Sequence, residues 1–135
     1  MEPNNIDVQI FDYLSKPLAN EENHFFSAKL AILDTIGCII HASSYENVHS
    51  FAAGETSVEL LKNPFKTVQN FNSLVDSTWY LTVLTRWFDY NDTFLAKEWG
   101  HPSDNFGTIY TFFQKNTSYK FVDFTTALTK AYEIQ

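Results

Sequence analysis

With Cys38 as its lone cysteine, the chain cannot close an internal disulfide. The apolar run around that residue reads as a small buried side chain in a reduced compartment, in preference to a reactive thiol. Basic residues are also scarce. Nine Lys and Arg against 16 Asp and Glu give a net charge of -7, with no basic cluster to offset it. Phosphate backbones and anionic lipid repel such a surface, which disfavours nucleic-acid and membrane roles. The start of the chain has neither the basic and apolar regions of a secretory leader nor the Arg-rich, acid-poor character of a transit peptide. The longest apolar run, Leu30 to Ala42, is short for a bilayer and carries Asp34 in its middle. A cytoplasmic protein is expected.

Metal and cofactor motifs are missing too. His24, His41, His49 and His101 show no two-ligand helical spacing, which leaves zinc little support. Asp89, Asn91 and Thr93 have the alternation of a calcium loop, but Phe94 stands where its glycine belongs and Gly100 where its glutamate belongs. There is no G-x-G-x-x-G and no P-loop. No metal and no cofactor is expected.

What remains is a chain of 135 residues, 44% hydrophobic and 17% aromatic, large enough to bury a core and outside the range of disordered sequences. No repeat or linker divides it, so residues 1–135 read as a single domain. Apolar residues recur at three and four, which makes the fold all-α. A first helix spans Asn5 to Ser15, with Ile6, Ile10, Phe11 and Leu14 in register, and stops before Pro17. The strongest covers residues 21–42, with Asn20 as its cap and Phe26, Leu30, Leu33, Ile36, Gly37 and Ile40 on one face. Between Ser43 and Asn72 the pattern breaks at Gly54, Asn63 and Pro64. Val58, Leu60 and Leu61 suit a short helix or strand, and Phe65 to Phe71 an extended segment.

A buried helix is predicted from Ser73 to Trp87. Another is capped by Ser103 or Asp104 and runs through Gly107, Ile109, Tyr110 and Phe113. After a turn at Asn116 to Tyr119, a last helix covers Phe121 to Ile134, capped by Asp123. It lacks a stop signal, so the chain reads as truncated after Gln135.

Ionisable and hydrogen-bonding groups concentrate between Arg86 and Asn105, in RWFDYNDTFLAKEWGHPSDN, interleaved with five large aromatics. A merely solvated loop has little use for such rings, whereas a partly dry site does. His101 can exchange a proton near neutral pH if Asp89 or Asp92 fixes its tautomer. Arg86 or Lys97 offers charge to an anionic ligand, and a helix start at Ser103 to Asn105 offers free N–H groups. Plainer roles compete: Asp-Asn-Asp-Thr suits an Asx turn, Arg86 can pair with Asp89 across one helical turn, and Ser103, Asp104 and Asn105 suit caps.

RWFDYNDTFLAKEWGHPSDNFG resembles the signature segment of the MmgE/PrpD family, whose members include 2-methylcitrate dehydratases and cis-aconitate decarboxylase. LAILDTIGCIIHA is similar to that family's early LLDTLGC helix and LTKAYEIQ to its AMIKAHEIQ, in the family's order. Tyr132 stands where that motif has histidine, and Trp79 and Tyr80 where small residues are usual. The resemblance covers about the first third of a member, the N-terminal part of its helical domain.

The resemblance implies a lyase of propionate catabolism that forms 2-methyl-cis-aconitate without a cofactor. It matches Asp89, Thr93 and His101 to positions that line the substrate pocket, with His101 in proton transfer or carboxylate binding; together with the reading of the loop this makes Asp89 and His101 the catalytic candidates and Thr93, Arg86 and Ser103 the substrate-binding ones. It also implies a tricarboxylate ligand such as 2-methylcitrate or citrate, and as partner either a second copy in a homodimer or a complementing C-terminal chain. The competing expectation is a catalytically inactive remnant or interaction module.

Overall fold

The structure, a computed structural model, describes residues 5–18, 21–53, 63–95 and 97–134. The expected cap Asn20, Gly54 and the apolar residues Val58, Leu60 and Leu61 lie outside the described residues. Seven α-helices account for most of the rest: α1 (Asn5–Ser15), α2 (Glu21–Ala42), α3 (Glu46–Ala53), α4 (Pro64–Thr67), α5 (Leu74–Arg86), α6 (Phe106–Lys115) and α7 (Phe121–Ile134). The only strands among the described residues are β1 (Phe94–Leu95) and β2 (Trp99–Gly100). They pair antiparallel, with Phe94 opposite Gly100 and Leu95 opposite Trp99.

Local chemistry explains the boundaries. Ser73 caps α5 by accepting from the N–H groups of Val75 and Asp76. In α7, Asp123 sits at the third helical position and reaches back to accept from the N–H of Lys120, the rear half of a capping box. The extended segment expected at Phe65 to Phe71 is instead α4 followed by a 3-10 turn, Val68–Asn70. Asn63 is its N-cap, accepting from Lys66 N at 3.0 Å, and Pro64 fills the first turn, where its missing N–H costs nothing. The pair that suggested a break therefore starts a helix. The cap expected at Ser103 or Asp104 is also absent: Pro102–Asn105 forms a 3-10 turn leading into α6 with no side-chain cap bond.

At the centre, α5 packs against α2, α3 and α6, while α7 lies on α2 and α6. Ile39, Val48, Tyr80, Leu81, Leu84, Phe106 and Leu128 are all but fully buried. Tyr80 is fully buried in this core with its hydroxyl partnered. It donates to His49 Nδ1 at 3.1 Å, and His49 Nε2–H donates to the carbonyl of Ser43 at 2.7 Å. Burial pushes the Tyr80 phenol up to about 12, with a hydrogen bond from Thr67 working the other way. Trp79, its neighbour, is half exposed and rests on Phe51.

The tightest approach is α5 to α6 at Gly107. A Cβ there would stand 2.8 Å from Thr82 Oγ1, 3.1 Å from the Thr78 carbonyl and 3.2 Å from Leu81 Cβ. Gly107→Ala is expected to lose about 1 to 3 kcal/mol to overpacking, only partly offset by about 1 kcal/mol of helix propensity. A lowered thermal midpoint would show it; a raised one would mean the helices separate freely.

α1 has no buried residue. It is tied on by Lys130, itself buried, whose ammonium donates to the carbonyls of Leu14 and Lys16 at 2.6 Å and of Tyr13 at 3.4 Å, and by Tyr13 bonding Glu133. Those carbonyls belong to the end of α1, where a cation meets the negative pole of the helix.

Most of the apolar face read on α2 points outward, with Ile36 its one partly buried large side chain. Ala28, Ile32, Thr35, Cys38, Ile39 and Ala42 form its buried stripe, whereas Phe26, Leu30, Leu33 and Ile40 are each more than half exposed. Residues Glu22–Ala42 are also long and apolar enough, by length and composition, to cross a membrane, which the shorter Leu30–Ala42 run is not. The buried stripe seated on α5 and α7 is what the core helix of a globular fold shows. Cys38 is a free buried thiol held above its ordinary value by burial and by Asp34.

Candidate active site

The charged stretch leaves α5 through a backbone reversal at Asp89, the one non-glycine residue with positive φ (56°) among those described. Aspartate tolerates this left-handed conformation better than most residues, and here it ends the helix where glycine or asparagine is usual. The turn leaves the Asp89 carboxylate largely exposed and 2.9 Å from Arg86 Nη2, the expected pairing across one turn. Arg86 Nε also faces Asp104 Oδ1 at 3.7 Å.

Beyond Asp89 the chain runs out and back through the β1–β2 hairpin, with Lys97 and Glu98 exposed at its tip. The two ends of this excursion are strapped together. Asn91, 3% exposed, donates through Nδ2 to Ser103 Oγ at 2.8 Å and Asp104 Oδ1 at 3.3 Å, and Ser103 N donates to Asp92 Oδ1 at 3.3 Å. His101 Nδ1–H donates to the backbone carbonyl of Asp92 at 2.7 Å. A carbonyl can only accept, so this bond puts the proton on Nδ1 and leaves Nε2 as the basic nitrogen. The orienting group is thus the Asp92 backbone, where a carboxylate was expected. Trp99 stands edge-on to the imidazole at 5.6 Å.

The expected site residues therefore separate. Arg86, Asp89, His101 and Ser103 share one connected patch, with Ser103 fully buried as part of the strapping. Thr93 is exposed at the foot of the hairpin and makes no hydrogen bond among the described residues. Asp92, expected to orient His101, and Asp104, expected at a helix start, join the patch in other roles, and Asn91 and Tyr132 join it with no site role expected from the sequence. Buried polar atoms mark their importance: Arg86 Nη1 and Asn91 Oδ1 have no hydrogen-bond partner among the described residues, while Tyr132 OH and Asp92 Oδ2, which have no other partner there, face each other closely enough for hydrogen bonding to raise the Tyr132 phenol. A cationic donor and an amide acceptor left in this state each carry a desolvation cost that a polar ligand would relieve.

The electrostatics follow from the same burial. Tyr132 is held far above an ordinary phenol, first by desolvation and then by the Asp92 carboxylate, so it is a neutral hydroxyl. Asp104 is raised mainly by burial, with Arg86, His101 and Asn91 pulling the other way. A folded pKa above the unfolded value of about 3.9 means that the folded chain holds the proton more tightly. The aspartate then lowers stability progressively as pH rises through its folded pKa and has no effect below the unfolded one. Asp104→Asn should accordingly raise the thermal midpoint at about pH 7 and leave it unchanged near pH 3. Equal shifts at both pH values would contradict this sign.

A shallow cleft of about 420 Å3 adjoins the patch, bordered by Asp104, Asn105, Ala131 and Ile134. Cavities of about 410 and 450 Å3 elsewhere hold none of the candidate residues, the first mixing Glu22, His24 and three threonines with apolar side chains and the second mainly apolar, while one of about 300 Å3 is lined in part by Tyr132. The polar patch thus borders two of these spaces, the shallow cleft through Asp104 and the smaller cavity through Tyr132. Among the described residues no three His, Cys, Asp or Glu side chains group to hold a metal ion.

The fold and the patch together define an all-helical domain that presents one polar wall, built by a strapped loop between two core helices. Residues 12–135 match the MmgE/PrpD N-terminal domain, and the chain belongs to that family. Over 110 residues it is 31% identical to the 2-methylcitrate dehydratase of Cupriavidus necator, covering 80% of this chain and 23% of that protein. The mitochondrial 2-methylcitrate dehydratase of Yarrowia lipolytica is 30% identical over 139 residues, covering 93% of this chain and 26% of that protein. An alkylcitrate dehydratase of a fungal species is 30% identical over 100 residues, 72% of this chain and 20% of that protein. The chain thus spans about a quarter of the length of the curated relatives it matches. No solved structure matches.

Proposed function

We propose that this chain supplies one wall of a site that dehydrates 2-methylcitrate or a similar tricarboxylate, with His101 Nε2 as the proton-transferring atom. The observation that carries the reading is the His101 geometry: a fixed tautomer leaves Nε2 as the basic nitrogen in the same strapped loop that leaves Arg86 Nη1 and Asn91 Oδ1 buried without a partner among the described residues. Dehydration removes a proton next to a carboxylate and expels a hydroxyl from the neighbouring carbon, so it needs a base, an acid and anion-binding donors. His101 is the base, Arg86 the donor for a carboxylate, and Asp89 the group that sets the Arg86 fork. Tyr132, kept neutral by its surroundings, is a hydroxyl donor. Thr93 offers a hydroxyl to substrate on the exposed rim, and the fully buried Ser103 acts through its strap to Asn91. In a reducing compartment such as the cytoplasm this activity serves propionate breakdown.

The test is to incubate the purified chain with 2-methylcitrate and follow absorbance of the unsaturated product. Formation that disappears in His101→Ala supports the reading; none at high protein concentration ends it for the chain by itself. A rise in melting temperature with citrate reports binding separately from turnover.

A second reading, an interaction module with no turnover of its own, is favoured by the apolar side chains left exposed on α1 and α2. Under that reading the same wall completes a pocket only together with another polypeptide.

A further inference from the structure

The cavity of about 450 Å3 between α2, α6 and the start of α7 is walled by seven aromatic rings. Those rings brace one another. Phe106 stacks on Tyr110 at 5.8 Å, and Phe113 meets Tyr119 at 4.7 Å and stands edge-on to Phe124 at 5.3 Å. The wall is therefore formed before any ligand arrives, which spares a ligand the cost of ordering it.

The polar groups on this cavity have no work inside the chain. Lys120 is the one charged side chain lining it among the described residues, and its ammonium makes neither an ion pair nor a hydrogen bond there. The carboxylate of Asp123 accepts from the Lys120 backbone N–H at 2.7 Å instead. The Gln114 amide and the Tyr110 and Tyr119 hydroxyls also line the cavity without a hydrogen-bond partner among the described residues. Burial raises the Tyr110 phenol above its ordinary value, which keeps it a neutral donor. One cation and three neutral donors beside an apolar wall suit a ligand that is apolar at one end and anionic at the other.

We infer that this cavity is a second ligand site, which takes a monocarboxylate with an aryl body, the ring lying among Phe65, Phe106 and Phe113 and the carboxylate meeting Lys120. Offset and edge-to-face contacts with the wall favour an aryl group over an alkyl chain of equal volume. The cavity's size falls in the lower half of the range for small-molecule sites, room for one ring and a short chain. None of the residues of the Arg86–His101 patch lines it, so the inference does not require the chain to be catalytic.

Calorimetric titration of the whole chain with phenylbutyrate tests it. Saturable binding with a Kd of about 0.1 to 1 mM is expected for a ligand of that size, and excess citrate should not displace it. Butyrate, which lacks the ring, and phenylbutylamine, which carries the opposite charge, should each bind at least about tenfold more weakly. The amine is a stringent control, because a net charge of -7 attracts cations in general and only local groups can reverse that preference. Lys120→Glu alters an exposed side chain and should keep the wild-type thermal midpoint while weakening phenylbutyrate about fivefold and strengthening the amine. Absence of saturable binding overturns the inference, as does an amine or a butyrate bound as tightly as phenylbutyrate, or phenylbutyrate binding indifferent to Lys120→Glu. Displacement by citrate also overturns it and places the probe in the Arg86–His101 patch.

Discussion

Tyr80→Ala is expected to cost about 3 to 5 kcal/mol, enough to leave about half of the molecules unfolded at room temperature if total stability lies at the bottom of the ordinary 5 to 15 kcal/mol range, and to lower the unfolding midpoint markedly elsewhere in it. Two losses combine in that figure. The ring is fully buried between α3 and α5 and touches Phe71 and His49, so truncation opens a cavity that packed helices cannot collapse. The hydroxyl also satisfies His49 Nδ1, which is buried and has no solvent to replace it. Tyr80→Phe separates the two, because it keeps the ring and strands the imidazole; a loss of about 1 to 3 kcal/mol is expected. Urea midpoints of the three proteins decide the matter. Should the phenylalanine variant match wild type, the Tyr80–His49–Ser43 chain contributes nothing and the core rests on shape alone.

His101→Ala should lower the rate of dehydration by about 100- to 10,000-fold, in the chain alone or in whatever complex it completes. The side chain is half-buried and makes one bond to the backbone, so the melting temperature should barely move. Asp92→Asn supplies the contrast. If the carboxylate oriented the imidazole, it would be nearly as damaging as losing the histidine; since the carbonyl does so, a much smaller loss is expected. Comparable losses in the two variants would return the orienting role to the Asp92 side chain.

Much of the helical framework was legible because its signal is local. Spacing at three and four located α1, α2, α5 and α7 with their observed limits or within one residue. Which side of a helix turns inward is a tertiary fact, and α2 shows the difference. Its larger side chains advertise one stripe, while the smaller Ala28, Thr35 and Ala42 are the ones that permit close packing on α5 and α7. Asn63-Pro64 has the chemistry of a turn and of a helix start alike, and only the following residues decide. Two-residue strands such as Phe94–Leu95 have no periodicity to detect.

The same division holds for the candidate site. The Arg86–Asp89 pair could be read from a three-residue interval. The burial of Asn91 depends on Ser103, twelve residues away, and the perturbation of Tyr132 on Asp92, forty residues earlier in the sequence. Lys130 and His49 were passed over for the same reason. The carbonyls they serve are positioned by other segments of the chain.

Anchoring an imidazole to a peptide carbonyl has a genetic consequence. Every amino acid carries that oxygen, so no codon change at position 92 can delete the acceptor for His101; only a rerouting of the strapped loop can. The proton's position on the ring is in this sense inherited from the path of the backbone, and it should outlast drift at Asp92 for as long as Asn91 and Ser103 hold the loop closed.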